Sequence, residues 1–259
     1  MKVIGIIPAR YESTRFPGKP LALINGKPMI VHVVERCKRS EVLSEVIVAT
    51  DDDRIRRAVA GLCRVEMTSR DHATGTDRIA EVAARVEADV LINIQGDEPL
   101  IDPVIIDKVA NALNANDLVQ ISTAASVIHE PTELSNPNIV KVVVDRSGIA
   151  LYFSRYSIPF LRELADASNA EKLSRFRYLK HIGIYGFRKD ALLRFVSLDK
   201  SLLEEAEKLE QLRALENGMR IIVVEVAYNG VPVDTPSDIK LVENQLLSSN
   251  RINSVGGME

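Results

Sequence analysis

Short apolar runs alternate along the chain with longer segments whose apolar residues recur every three to four positions. "KVIGII" (residues 2–7), "EVIVAT" (45–50) and "DVLINI" (89–94) are continuous and rich in β-branched residues. Runs apolar at consecutive rather than alternate positions are how strands buried on both faces of a parallel sheet read. Between them, "MIVHVVERCKRS" (from residue 29), "DRIRRAVAGL" (53), "TDRIAEVAARVEA" (76) and "PVIIDKVANALNA" (103) each carry one apolar helical face. Pro103 suits a first helical turn, where its missing N–H is not needed. Strand–helix–strand order over residues 1–115 predicts a doubly wound α/β sheet with right-handed crossovers.

The middle of the chain reads differently. "DLVQISTAASVI" (117–128), "NIVKVVVDRSGIALYFS" (138–154) and "YLKHIGIYGF" (178–187) follow with few helical patterns between them, and "DRSG" (145–148) is a hairpin turn signal. These predict antiparallel strands extending the sheet. Residues 166–174 are polar and Ala-rich and read as a mobile connection. Helical periodicity returns in "DALLRFVS" (190–197) and in "SLLEEAEKLEQLRALENG" (201–218), the latter read as one helix stopped by Asn217-Gly218. "RIIVVEVA" (220–227) is another strand, and "TPSDIKLVENQLLSS" (235–249) a closing helix. The expected architecture is one α/β unit over 1–259, with a core at 1–125 and 205–259 and a β-rich subdomain inserted at 126–204.

Composition narrows the function classes. Hydrophobic residues make up 46% of 259, enough for a sizeable core. A formal net charge of −3 with both signs interleaved argues against a nucleic-acid surface or a polybasic membrane patch, so local cations mark local sites. Cys37 and Cys63 lack metal-ligand spacing and are too few for a disulfide framework, so reduced thiols are expected. The first apolar run is too short for a signal peptide, and no apolar run reaches the roughly 18 residues of a membrane span. The expectation is a soluble, cytoplasmic protein with neither a membrane nor a nucleic acid as partner.

Three polar clusters directly follow predicted strands, where doubly wound sheets bind ligands. They are "PARYESTRFPGKPL" (8–21), "TDDD" (50–53) and "QGDEP" (95–99). The first carries Arg10, Arg15 and Lys19 but neither a G-x-G-x-x-G nor a P-loop pattern. Arg10 and Lys19 would bring side-chain charge to a polyphosphate, or be scattered cations on a solvated loop; spacing leaves both readings open. Asp97 stands at a strand tip where a hard cation could sit, Mg²⁺ taking one or two carboxylates plus water and phosphate oxygens. Asp234 in "VDTPSD" is the candidate second carboxylate, although alone it reads as a turn or helix-start aspartate.

"TSRDHATGTDR" (68–78) contains a capping box, Thr74 at the N-cap and Asp77 at N3. Its glycine-bearing loop at a helix N-terminus could also receive a nucleobase edge or a phosphate. His181 and Tyr185, four apart, share one face of a strand, where a lone histidine is more often structural. Glu210 and Gln211 read as ordinary residues of an amphipathic helix. No Ser-His-Asp order suits a hydrolase, no His/Cys cluster has zinc spacing, and no hydride-cofactor fingerprint is present.

"PARYESTRFPGKPL", "TSRDHATGTDRIAE", "NIQGDEPLI", "YFSRYSIPF", "KHIGIYGF", "EKLEQLRALENG" and "VDTPSD" stand in register over essentially the whole chain. In that order and spacing the chain resembles the CMP-Kdo synthetase family, the 3-deoxy-manno-octulosonate (Kdo) cytidylyltransferases. The resemblance implies a Rossmann-like nucleotide-binding domain with a mostly parallel mixed sheet and a smaller β-rich dimerisation subdomain. It implies transfer of CMP from CTP to Kdo with release of pyrophosphate, for lipopolysaccharide biosynthesis, by a Mg²⁺-dependent homodimer. The alternative is a cytidylyltransferase for a related sugar acid, 8-amino-Kdo or sialic acid. A non-catalytic protein on the same fold would be expected to lose Asp97, Asp234 or Lys19, and all three are present.

By resemblance, Pro8, Ala9, Arg10, Arg15, Lys19, Thr68, Gly75 and Arg78 should bind the nucleotide. Arg10, Lys19, Arg78, Asp97 and Asp234 should serve catalysis, the two aspartates as Mg²⁺ ligands. Gln95, Arg155, His181, Tyr185, Glu210 and Gln211 should line the sugar site. One departure stands out: Pro232 occupies the place of the family's glycine before Val-Asp-Thr-Pro, so the turn approaching Asp234 has a fixed φ and one N–H fewer.

Overall fold

The computed structural model describes residues 1–12, 16–228 and 230–255, from residue 249 on as backbone alone. Arg15 therefore lies outside the described residues. In chain order the first elements are β1 (Val3–Ala9), β2 (Leu23–Ile24), β3 (Lys27–Pro28), α1 (Met29–Cys37), β4 (Glu45–Thr50), α2 (Asp53–Ala58) and β5 (Arg64–Met67). Next come α3 (Gly75–Ala83), β6 (Val90–Asn93), α4 (Pro103–Asn114), β7 (Ile121–Val127), α5 (Pro131–Ser135), β8 (Lys141–Val144) and β9 (Ala150–Ser154). The chain continues through α6 (Asn169–Arg175), β10 (Leu179–Arg188), α7 (Lys189–Val196), α8 (Leu202–Glu207), α9 (Gln211–Glu216), β11 (Ile221–Glu225) and α10 (Pro236–Val255). The fold is mixed α/β with a mostly parallel central sheet and a small antiparallel pair, β2–β3.

Two compact units divide the chain. One comprises Lys2–Glu87, Asn93–Val104 and Asn229–Glu259. Its strands β1, β4 and β5 are parallel neighbours, Ile4 opposite Glu45 and Ile47 opposite Arg64. Beyond the end of β6, the Ile94 N–H donates to the Ile6 carbonyl at 3.0 Å. β1 and β4 are buried at almost every position, as their unbroken apolar runs require. α1 sets Met29, Ile30, Val33, Val34 and Cys37 into the core, and burial raises the Cys37 thiol's pKa, which keeps it protonated. Both cysteines are free thiols.

The other unit comprises Met1, Ala88–Ile92 and Ile105–Tyr228, with strand order β11-β7-β10-β6. β11 is parallel to β7, β10 antiparallel to it, and β8 pairs with both β10 and β9. The predicted hairpin joins β8 to β9. Asp145 Oδ1 accepts from the Ser147 and Ile149 N–H groups, and Gly148 takes φ 80°.

Two expectations are corrected here. Residues 166–174 are not a bare connection, because Ser168 accepts from the Glu171 N–H and opens α6. Residues 201–218 form two helices rather than one. Lys208 sits in the left-handed region at φ 54° and ψ 46°, ending α8, while a buried bidentate pair of Arg213 with Glu204 (2.7 and 2.6 Å) ties α9 back to it. Periodicity cannot see such a break, because Leu209 within it and Leu212 beyond it both stay buried.

Packing in this unit gives one direct prediction. A methyl at Gly186 would stand 2.4 Å from Ser122 Oγ, 3.1 Å from Ile92 Cδ1 and 3.3 Å from Leu113 Cδ1. The Ser122 hydroxyl already donates to the Val109 carbonyl at 2.7 Å, so it has little room to move. Gly186→Ala should therefore destabilise by about 1–3 kcal/mol. Urea unfolding checks this, and an unchanged midpoint would contradict the packing.

Among the described residues no helix is long and apolar enough to cross a membrane.

Candidate active site

The opening cationic loop folds into a specific hold on Lys19. Gly18 adopts φ 73°, its N–H donates to the Tyr11 carbonyl at 2.9 Å, and a Cβ on it would stand 3.2 Å from the Tyr11 ring. Any side chain there would be strained and would press on that ring. A single 3₁₀ turn, Lys19–Leu21, follows, with Pro20 buried. The Lys19 ammonium is delivered between two carboxylates. It lies 2.6 Å from Asp97 Oδ2 and 3.5 Å from Asp234 Oδ1, and donates to the Val233 carbonyl at 2.9 Å.

Each aspartate has a local reason for its place. Gly96 lets the turn after β6 pass the Pro8 carbonyl, since a Cβ there would stand 3.0 Å from that oxygen. The Asp97 carbonyl then accepts the Val233 N–H at 2.9 Å, joining the two acidic loops through backbone. Pro232 leaves this intact, because the bonds pinning the turn are made by Val233. The helix-start role belongs to Asp238: its Oδ2 accepts from the Asp234 and Thr235 N–H groups (2.9 and 2.7 Å) and the Thr235 hydroxyl (2.9 Å). Burial would raise the Asp238 pKa, but these hydrogen bonds and the nearby Lys19 charge together hold it below the usual carboxylate range.

A cavity of about 250 Å³ opens over this cluster, lined among others by Pro8, Ala9, Arg10, Gly75, Arg78 and Gln95 together with Lys19, Asp97 and Asp234. At its α3 edge the predicted capping box forms: Thr74 Oγ1 accepts the Asp77 N–H at 3.1 Å and Asp77 Oδ2 the Thr74 N–H at 3.0 Å. Arg78 is buried, its guanidinium donating to Thr68 Oγ1 and, at 3.2 Å, to Asp51 Oδ2. Thr68 is thus Arg78's partner, and it is held in turn by its N–H on the Thr50 carbonyl at 2.9 Å.

The donor set suits a divalent cation that arrives with its substrate. Among the described residues no three His, Cys, Asp or Glu gather into a self-sufficient cage. Two carboxylates already sharing one cationic charge fit a Mg²⁺ whose remaining positions go to water and phosphate oxygens.

The other unit holds the remaining predicted sugar-site residues. The His181 ring packs edge-on to Phe153 (5.1 Å) and beside Tyr185 (5.3 Å), so these two residues do share a face. A bulge in β10 falls between Ile182 and Tyr185. Thr123 Oγ1 donates to the Ile184 carbonyl at 2.7 Å and so accepts from His181 Nε2 at 2.8 Å. His181 and Tyr185 are each half-buried, and desolvation pushes the imidazole pKa down to about 3 and, together with the nearby Glu210 charge, the Tyr185 phenol well up. His181 is therefore neutral at pH 7 and offers a hydrogen bond rather than a charge.

The unfolded chain binds a proton near pH 6.5 that the folded chain refuses until about pH 3, so this group costs stability as pH falls through that window. An NMR titration of the His181 Cε1–H resonance should show no step between pH 5 and 9, and a midpoint near 6.5 would contradict the packing.

Arg155 spends Nε, Nη1 and Nη2 on the carbonyls of Glu207, Pro137 and Lys208. Glu210 stands at the start of α9, and Gln211, its first residue, is buried.

Sequence reasoning overlooked three neighbours of these residues. Asp51 was visible only as part of a strand-end acidic cluster. His72, which lines the cavity and pairs with Glu81, lay inside a segment read for its cap. Thr123 gave no signal, being one of three buried hydroxyl residues in β7, with Ser122 and Ser126.

Residues 4–221 match the family model described as cytidylyltransferase. The chain is 53% identical over 249 residues to the 3-deoxy-manno-octulosonate cytidylyltransferase of Geobacter sulfurreducens, covering 95% of this chain and 100% of that one. The corresponding protein of Geobacter metallireducens is 52% identical over 249 residues, covering 95% and 98%. Among solved structures, a CMP:2-keto-3-deoxy-manno-octonic acid synthetase complexed with CTP superposes with TM-score 0.89 at 42% identity, covering 96% of this chain and all of that one. With the cationic loop, the paired aspartates and the helix-capping loop around one cavity, the chain belongs to the cytidylyltransferase family, in the branch of the 3-deoxy-manno-octulosonate cytidylyltransferases.

Proposed function

We propose that the protein transfers CMP from CTP to Kdo, giving CMP-Kdo and pyrophosphate, in the synthesis of lipopolysaccharide. The observation that carries the proposal is the Lys19–Asp97–Asp234 cluster on a cavity also lined by Arg10 and Arg78. It joins cations for a polyphosphate to a carboxylate pair for its metal. The names of the relatives at about 50% identity support Kdo as acceptor, and the CTP in the related complex supports cytidine.

The anomeric oxygen of Kdo attacks the α-phosphorus of CTP. The anomeric hydroxyl oxygen bonds to that phosphorus and its proton passes to solvent water, the bond from the α-phosphorus to the α–β bridging oxygen breaks, and pyrophosphate leaves with the electron pair. The obstacle is the charge of the triphosphate facing an oxygen nucleophile, so positioning and electrostatics should carry the catalysis. Arg10 grips phosphate oxygens, with Lys19 as a point charge on the leaving pyrophosphate. Arg78, fixed by Thr68 and Asp51, presents its remaining donors already oriented. Ala9, Pro8 and Gly75 offer close backbone and ring surface to the nucleoside, a side chain at Gly75 being set against Pro8 at 3.2 Å. Asp97 and Asp234 would hold Mg²⁺, which when bound supplies charge neutralisation and alignment of the triphosphate. Gln95, Arg155, His181, Tyr185, Glu210 and Gln211 recognise the sugar acid, His181 as a neutral hydrogen-bonding group.

The protein acts in the cytoplasm as a homodimer. Exposed Leu151, Tyr156 and Phe160 in the β8–β10 region support an interface there. Pyrophosphate release in the presence of Mg²⁺, compared for CTP, UTP, ATP and GTP and for Kdo, 8-amino-Kdo and sialic acid, tests the substrate pair. Preference for CTP with Kdo is expected. Preference for 8-amino-Kdo or sialic acid would reassign the acceptor to that alternative.

A further inference from the structure

Glu207 ends α8, and both its carboxylate oxygens reach the end of β9. Oε1 accepts the Ser154 hydroxyl at 2.6 Å, and Oε2 the Arg155 N–H at 2.9 Å. Arg155 returns the grip: Nε donates to the Glu207 carbonyl at 2.7 Å and Nη2 to the Lys208 carbonyl at 3.3 Å. The Arg155 carbonyl is held in turn by the ammonium of buried Lys141 at 2.9 Å, whose other two donations go to the Asn136 and Ile139 carbonyls.

This clasp closes on a strained turn. Lys208 is a non-glycine residue in the left-handed region, a conformation that persists only where its surroundings over-determine it. Immediately after it, Leu209 is buried and the chain enters α9 at Glu210 and Gln211. Three contacts through Nε, Nη1 and Nη2 leave Arg155 one N–H on each terminal nitrogen, a pair suited to a ligand carboxylate.

We propose that Glu207 is a positioning residue of the sugar-acid site. It fixes Arg155 at the end of β9 and, through Arg155, the Lys208 turn that sets where Glu210 and Gln211 stand. This rests on the reading that Arg155, Glu210 and Gln211 meet the sugar acid. A carboxylate is needed because its two oxygens face two donors, a hydroxyl and an amide. A glutamine would turn its NH₂ toward one of them.

The test is steady-state kinetics with the Michaelis constants for Kdo and CTP determined separately, alongside thermal melting. Glu207→Ala should raise KM for Kdo about tenfold or more, the scale of a misplaced binding group, while KM for CTP stays within about twofold. Glu207→Gln should recover part of the loss, and Ser154→Ala should show a smaller shift in the same direction. Gln211→Ala is the reference for the reading itself. A raised KM for Kdo in Gln211→Ala with none in Glu207→Ala would overturn the positioning role and leave the site assignment standing. Unchanged values in both would overturn the assignment and the inference with it. Equal rises for Kdo and CTP, accompanied by a lower melting temperature, would make the clasp purely structural and so overturn it. If Glu207→Ala does not fold, Glu207→Gln decides by the same criterion, because it keeps the side chain's length and turns one of the two accepting oxygens into a donor.

Discussion

Asp97→Asn is expected to reduce turnover with CTP and Kdo by about 10²–10³-fold or more, the usual effect of losing one stabilising group where charge develops. The substitution is nearly isosteric and leaves the Asp97 carbonyl to accept the Val233 N–H, so the two acidic loops should stay joined. What it removes is the negative charge. Lys19 loses its 2.6 Å partner, and the site loses half of the carboxylate pair proposed to hold the cation. Circular dichroism should show the parent fold while kcat falls. Near-parental turnover would remove Asp97 from the mechanism.

Lys19→Met should lower turnover to a similar extent and also change how the folded protein responds to divalent cations. In the parent, the Lys19 ammonium sits between Asp97 and Asp234 and offsets their mutual repulsion. Without it the two carboxylates lose their shared counter-ion. The variant should then melt lower in chelator and recover more of its melting temperature on adding Mg²⁺ or Mn²⁺ than the parent does, since a ligand stabilises by its preference for the folded state. An identical metal-induced shift in both proteins would show that Lys19 does not stand in for the cation.

Much of this site was legible in the sequence, for a physical reason. Strand carboxyl ends in doubly wound sheets gather ligand-binding loops, so Arg10, Lys19 and Asp97 could be placed together from their positions after apolar runs. The Thr74–Asp77 cap was equally visible, because a capping box is set by residues three apart. Asp234 could be named as the second carboxylate, but a turn aspartate looks the same whether it caps a helix or faces a ligand. The structure separates the two by giving the cap to Asp238.

The least legible features depend on contacts distant in sequence or on single dihedrals. Nothing in "EEAEKLEQ" announces the left-handed Lys208, and the Ser154–Glu207 bond spans 53 positions. The helix at Asn169–Arg175 was hidden by its polar composition, although its Ser168 cap was in plain view.

The central claim is a two-substrate transfer, and one measurement tests it most directly: the yields of CMP-Kdo and pyrophosphate from purified protein given CTP, Kdo and Mg²⁺, against controls lacking either substrate. The account predicts equal amounts of the two products and none in either control. No CMP-Kdo in the complete mixture, or pyrophosphate released at the same rate without Kdo, would contradict it.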